Sequence, residues 1–190
     1  YKATIIPRGG ALGMVVSLPE IDRLQMHKDE AKQRIAMTMA GKAAEIIKYG
    51  EDGVSSGPVG DIQQASGLAR AMVMRWGMSD AIGNIDYAEA HEGYSGSTGG
   101  FSVSAETKRL IEAEVKSLID DGYEEARRIL IEKSEEFERL AKGLLEYETL
   151  TGDEIRKVIA GEKLGGEDDA GTPSTPADGG TASVVSIRSE

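Results

Sequence analysis

One acid, Asp61, stands in "SSGPVGDIQQASGLARAM", residues 55 to 72, between a Gly/Pro-rich loop and a strongly periodic helix. A carboxylate in that position has two uses. One oxygen can accept a hydrogen bond from a backbone N–H two or three residues on, and its charge suits the positive end of the helix. The other oxygen is then free to point across the helix end at a cation. Glu45 is the second acid of interest, because it lies among Ala43, Ala44 and Ile46, close to the apolar side of its helix. It reads either as a boundary residue with an ion-pair partner or as a carboxylate that supports a metal site. The chain has only two histidines, His27 before a helix and His91 in a polar loop, and they show no ligand spacing. No H-E-x-x-H, G-x-S-x-G or Walker-type loop occurs, and "PRGGALG" lacks the Lys and Ser/Thr of a phosphate loop.

These residues are set on a mostly helical chain. Lys28 to Lys48 carries Ile35, Met39, Ala43, Ile46 and Ile47 on one side, which is the period of an amphipathic helix. The next helix is expected from Ile62 to about Trp76, capped by Asp61, with an apolar stripe of Ile62, Ala65, Leu68, Ala69, Met72, Val73 and Trp76. Gly77 follows it in a C-terminal capping position. Ser104 and Glu106 open a long helix through Leu130, which continues or restarts through Leu145. Thr151 with Glu154 fits a capping box for a last short helix. At the start, Ala3–Ile6 and Met14–Leu18 read as a strand pair punctuated by Pro7, Gly9, Gly10 and Gly13. The expected fold class is mainly α with a small β-hairpin at the N-terminus. Residues 1–161 form one domain. Residues 162–190, rich in Gly, Ser, Thr, Pro and acids and without aromatics, read as a disordered tail.

Composition narrows the function. The net charge is -11 over 190 residues, which repels phosphate backbones and makes nucleic acid an unsuitable partner. There is no Cys, so disulfides, thiolate zinc sites and cysteine nucleophiles are excluded. No apolar run approaches the roughly 18 residues that span a bilayer. The opening "YKATIIPRGG" lacks Met and reads as cut from a longer protein.

Four stretches resemble the peptidase domain of FtsH, the membrane-anchored, ATP-dependent AAA+ zinc metalloproteases. They are "KATIIPRGGALGMVVSLPE", "GKAAEIIKYGEDGVSSGPVGDIQQASGLARAMVMRWGMSD", "SAETKRLIEAEVKSLIDDGYEEARRIL" and "LAKGLLEYETLTGDEI", in the family's order and spacing over about residues 2–160. The resemblance implies a zinc site built from two histidines of an H-E-x-x-H helix and an Asp that opens a later helix. Asp61 occupies the place of that Asp, with Gly60 where the family has Asn and Pro58 where it has Ala. The implied roles are then zinc ligand for Asp61, with helix capping as its second task, and a supporting or structural role for Glu45. His27 and His91 match no ligand position. The implied H-E-x-x-H helix, with its general base, falls upstream of Tyr1, so no catalytic residue is assigned in this chain and the fragment alone is expected to be inactive.

The same resemblance makes Gly13, Met14, Val15 and Val16 part of an edge strand beside the zinc cleft that binds polypeptide substrates by strand pairing. It further implies zinc as cofactor and ATP consumed by an AAA+ module outside this chain. A homo-hexameric ring, membrane attachment through N-terminal segments and a place on the cytoplasmic face of the inner membrane complete the expectation. Two alternatives stand beside it: a helical oligomerisation or interaction module without catalysis, and a homologue that has lost its chemistry.

Overall fold

A computed structural model describes residues 2–7, 13–16, 25–87 and 103–164. Among the described residues, three strands, β1 (Lys2–Thr4), β2 (Met14–Val16) and β3 (Thr149–Thr151), accompany five α-helices and one 3-10 turn (Glu51–Gly53). The helices are α1 (Lys28–Tyr49), α2 (Val59–Met74), α3 (Ala105–Glu132), α4 (Ser134–Tyr147) and α5 (Gly152–Ala160). The expected architecture, mainly α with a small sheet at the N-terminus, is what forms. His91, Gly9, Gly10 and residues 165–190 lie outside the described residues.

α1, α2 and α3 pack together around the main core. Ala31, Ile35, Met39 and Ala43 recur every fourth residue on α1 and are buried. Ala31, Ile35 and Met39 form one cluster with Ala65, Ala69, Met72 and Val73 of α2 and Ile111 and Val115 of α3. The approach of α1 to α3 is set by small residues. A methyl group at Gly122 would stand 2.7 Å from Ile35 Cγ2 and 3.2 Å from the Ala36 backbone nitrogen. α1 ends at Gly50, whose φ of 77° is the left-handed turn that L side chains resist.

The second packing unit is α4 and α5 with β3. Gly143 of α4 is buried against Val158 of α5 and Leu150 of β3, and Leu150 is fully buried. Arg139 Nε donates to the Ile159 carbonyl at 2.8 Å, which satisfies one orphan acceptor at the end of α5. Lys48 Nζ and Glu138 Oε1, 2.6 Å apart, link this unit to α1 on the surface. Thr151 and Glu154 form the expected capping box at the start of α5.

The sheet order is β2-β1-β3, all antiparallel. β3 is an addition to the expected hairpin. Three residues, Thr-Leu-Thr, become a strand because β1 supplies the partner, with Thr4 Oγ1 and Thr149 Oγ1 2.8 Å apart. Their local pattern signals only the cap that follows. β1 is therefore the central strand, and β2 is an edge.

Candidate metal centre and substrate edge

α2 begins three residues earlier than expected, at Val59, and ends at Met74. Pro58 is the N-cap, and no side chain caps the helix. The Pro58 carbonyl accepts the Ile62 N–H at 2.9 Å, while the Val59 N–H is taken by the Ser56 carbonyl at 3.2 Å. The expectation that Asp61 caps α2 is thus corrected. Proline brings its fixed φ and a free carbonyl to position 58, and the helix starts there without needing an Asx cap. Asp61 sits inside the first turn, where its charge still favours the helix dipole by about 0.3–1 kcal/mol. The far end is corrected too: Trp76 lies beyond α2 and is 44% exposed, so it does not extend the buried stripe. Gly77, with φ 61°, falls two residues past the C-cap Arg75.

Asp61 lies one turn before Ala65 on the face that packs inward, and it is half-buried. It faces α1: a methyl group at Gly41 would stand 3.4 Å from Asp61 Oδ2. Among the described residues its carboxylate has no hydrogen bond or ion pair. A partly exposed carboxylate without a protein partner is solvated by water and keeps its oxygens available to a cation. A hard anionic oxygen is a normal zinc donor, so Asp61 fits one position of a zinc site. Among the described residues no group of three His, Cys, Asp or Glu side chains comes together. A catalytic zinc site takes three protein ligands, so Asp61 could fill at most one of its positions. His27 is the N-cap residue of α1 and makes no capping bond.

Glu45 is engaged differently. Its Oε2 accepts the Ser55 N–H at 3.0 Å, and its Oε1 accepts the Ser55 hydroxyl at 2.8 Å. The Ser55 Oγ in turn accepts the Gly57 N–H at 3.0 Å. Glu45 thereby ties the loop between α1 and α2, and both its oxygens are occupied by protein donors. Ser55 escapes a reading of the sequence for chemistry. The available signal is a hydroxyl in a glycine-bearing loop that follows a helical acid by ten residues.

β2 presents Met14, Val15 and Val16 at 45%, 72% and 38% exposure. Its register with β1 is Lys2↔Val16, Ala3↔Val15 and Thr4↔Met14. Gly13 precedes it, and a methyl group there would stand 3.0 Å from the Thr4 carbonyl oxygen. Among the described residues nothing pairs with the outer side of β2, so its outward N–H and C=O groups form an open template.

The chain matches the sequence model of peptidase family M41 over residues 1–158. An ATP-dependent zinc metalloprotease FtsH of Caulobacter vibrioides is 47% identical over 165 residues, which cover 85% of this chain and 26% of that protein. The FtsH of Rickettsia bellii is 40% identical over 191 residues, covering 100% of this chain and 29% of the relative. The mitochondrial inner membrane i-AAA protease supercomplex subunit YME1 of Saccharomyces cerevisiae is 44% identical over 164 residues, covering 86% of this chain and 21% of the relative. The chain thus spans about a quarter of the length of the curated relatives it matches. The match runs through β1, β2, the α1–α2 loop and both helical units, which carry the four FtsH-like segments of the sequence. The chain belongs to peptidase family M41.

Proposed function

We propose that this chain is the carboxylate-bearing part of an ATP-dependent zinc metalloendopeptidase that degrades unfolded or degron-bearing proteins. The observation that carries this reading is the unpartnered, half-buried carboxylate of Asp61 at the start of α2. Asp61 holds the metal together with two imidazoles of an H-E-x-x-H helix that residues 1–190 do not contain. When bound, zinc polarises the scissile carbonyl and acidifies a water. Gly13 and the exposed strand Met14–Val16 take the substrate as an added strand, which gives affinity with little dependence on side chains. An AAA+ module elsewhere in the protein uses ATP to feed the polypeptide. The working unit is a homo-hexameric ring attached to the cytoplasmic face of the inner membrane by other segments; among the described residues no helix is long and apolar enough to cross a membrane.

With one ligand, the 190-residue chain alone is expected to hold zinc weakly and to cleave nothing. The test uses the full-length protein. Asp61→Asn should remove bound zinc, measured by mass spectrometry of the metal, and should abolish ATP-dependent degradation of an unfolded protein. Retention of stoichiometric zinc and of proteolysis in that variant refutes the reading.

The second reading, an interaction module without catalysis, is favoured by an apolar groove between α1 and α3. It has a volume of about 470 Å³ and is lined by Ala36, Met37, Ala40, Leu118, Ala126 and Ile129, away from Asp61. Full-length protein that assembles normally but never degrades substrate, with zinc present, favours it.

A further inference from the structure

We infer that one face of α1, Gly41 together with Glu45, is a cradle that positions Asp61 toward its metal; this rests on the reading of Asp61 as a ligand. Gly41 and Glu45 are one helical turn apart, so they share a face of α1. Each meets a different part of the entry to α2. Gly41 leaves the space into which Asp61 Oδ2 points, at 3.4 Å from where a methyl would sit. Glu45 receives both the backbone N–H and the hydroxyl of Ser55, at 3.0 and 2.8 Å. Ser55 Oγ then holds the Gly57 N–H, one residue before the N-cap Pro58.

This arrangement does what Asp61 does not do for itself. Asp61 makes no hydrogen bond among the described residues, so nothing bonded to its own oxygens fixes its position. Its placement comes from its backbone, which is held by the packing of α2 on α1 and α3 and, at the helix entry, by Pro58 and the loop tied to Glu45. Because Glu45 spends both oxygens on Ser55, it is a positioning residue and not a further ligand. A ligand held loosely binds its metal less well, and groups one step removed from a metal typically account for about 10- to 100-fold in affinity.

The test measures zinc affinity of the full-length protein by competition with a chromogenic chelator, and amide hydrogen exchange of the zinc-free protein. The variants are Glu45→Gln, Ser55→Ala, Ser55→Thr, Gly41→Ala, Gly41→Val and Asp61→Asn. Ser55→Ala should accelerate exchange at the Gly57 amide while α2 keeps its protection, and should weaken zinc about tenfold or more. Ser55→Thr, which keeps the hydroxyl, should restore both. Gly41→Ala should weaken zinc less than Gly41→Val, since the larger side chain must push the Asp61 carboxylate further. Glu45→Gln should reproduce Ser55→Ala; if it unfolds α2, the serine and glycine variants decide.

If Asp61→Asn weakens zinc while Ser55→Ala and Gly41→Val bind it as the wild type does, the cradle is overturned and the ligand role stands. If Asp61→Asn leaves zinc affinity unchanged, the ligand role itself fails and the cradle falls with it. A faster Gly57 amide without any change in zinc affinity also overturns the cradle, leaving Glu45 as a loop tie only.

Discussion

Replacing Gly122 by Ala tests how closely α1 and α3 approach. The new methyl would lie 2.7 Å from Ile35 Cγ2, 3.2 Å from the Ala36 nitrogen and 3.4 Å from the Ile35 carbonyl carbon. Carbon atoms in contact sit about 3.5–4.0 Å apart, so the helices must separate by about 1 Å or Ile35 must move. Ile35 is fully buried and β-branched, with one strongly preferred rotamer in a helix, so it has nowhere to go. The other two contacts are backbone. Overpacking of this kind costs about 1–3 kcal/mol. Against it stands the better helix propensity of Ala, about 1 kcal/mol. The net result is a loss of about 1 kcal/mol, or a fall in Tm of about 2–4 °C for a chain of this size. Gly67→Ala is the reference. Gly67 is a helix-interior glycine of α2 with nothing within 4 Å of the added methyl, so it should gain about 0.4–1 kcal/mol. Subtracting the two shifts cancels most of the propensity and isolates the clash, expected at about 1–3 kcal/mol. Urea denaturation of the two variants beside the wild-type chain measures it. Equal stabilisation of both would refute the close approach of α1 to α3.

Four further outcomes follow from the sheet and its surroundings. Leu150→Ala empties a fully buried site between β3, α4 and α5, and should cost about 2–5 kcal/mol in denaturant-unfolding experiments. Thr151→Ala should cost about 1 kcal/mol by opening the capping box of α5. In the same box the Thr151 N–H and hydroxyl hold the Glu154 carboxyl below the ordinary glutamate range. A depressed folded pKa means its stabilisation is complete above about pH 4.3, the unfolded value, and fades as pH falls through the folded one; Glu154→Gln should flatten that acid limb of stability against pH. Met14→Pro and Val15→Pro separate the two sides of β2, because successive N–H groups in a strand point opposite ways. In the full-length protein, one of these prolines should lower Tm by breaking the pairing with β1. The other should leave Tm intact and raise the peptide KM; two prolines without effect on KM would remove β2 from substrate binding.

Local periodicity carries most of the helical fold. α1 is legible from Lys28 onward because its apolar residues recur at four-residue intervals and polar residues fill the other face. α3 and α4 are legible as one long amphipathic run, although the break at Lys133, with φ -106° and ψ 27°, leaves no mark in the sequence. Gly143 looks out of place within a helix until Val158 and Leu150 are seen against it. Elements defined by distant partners are not legible. β3 exists because β1 pairs with it, and the tie from Glu45 to Ser55 spans a loop whose path no pattern encodes. The start of α2 misleads for a chemical reason: aspartate is a strong N-cap, but Pro58 already offers a carbonyl in the right place. Asp61 itself is found by resemblance rather than by spacing, since a single acid has no spacing to read.

The pairing of Thr4 with Thr149 spans 145 residues of chain. A nascent polypeptide leaves the ribosome from its N-terminal end, so β1 and β2 are made first and wait for β3 until nearly all the described residues have been synthesised. The three-helix unit can form in the meantime from contacts closer in sequence, whereas closing so long a loop is the slow, entropically costly step. The open strand therefore gains its full backing last, and a polypeptide released before residue 151 would lack it even though every residue of that strand had long been in place.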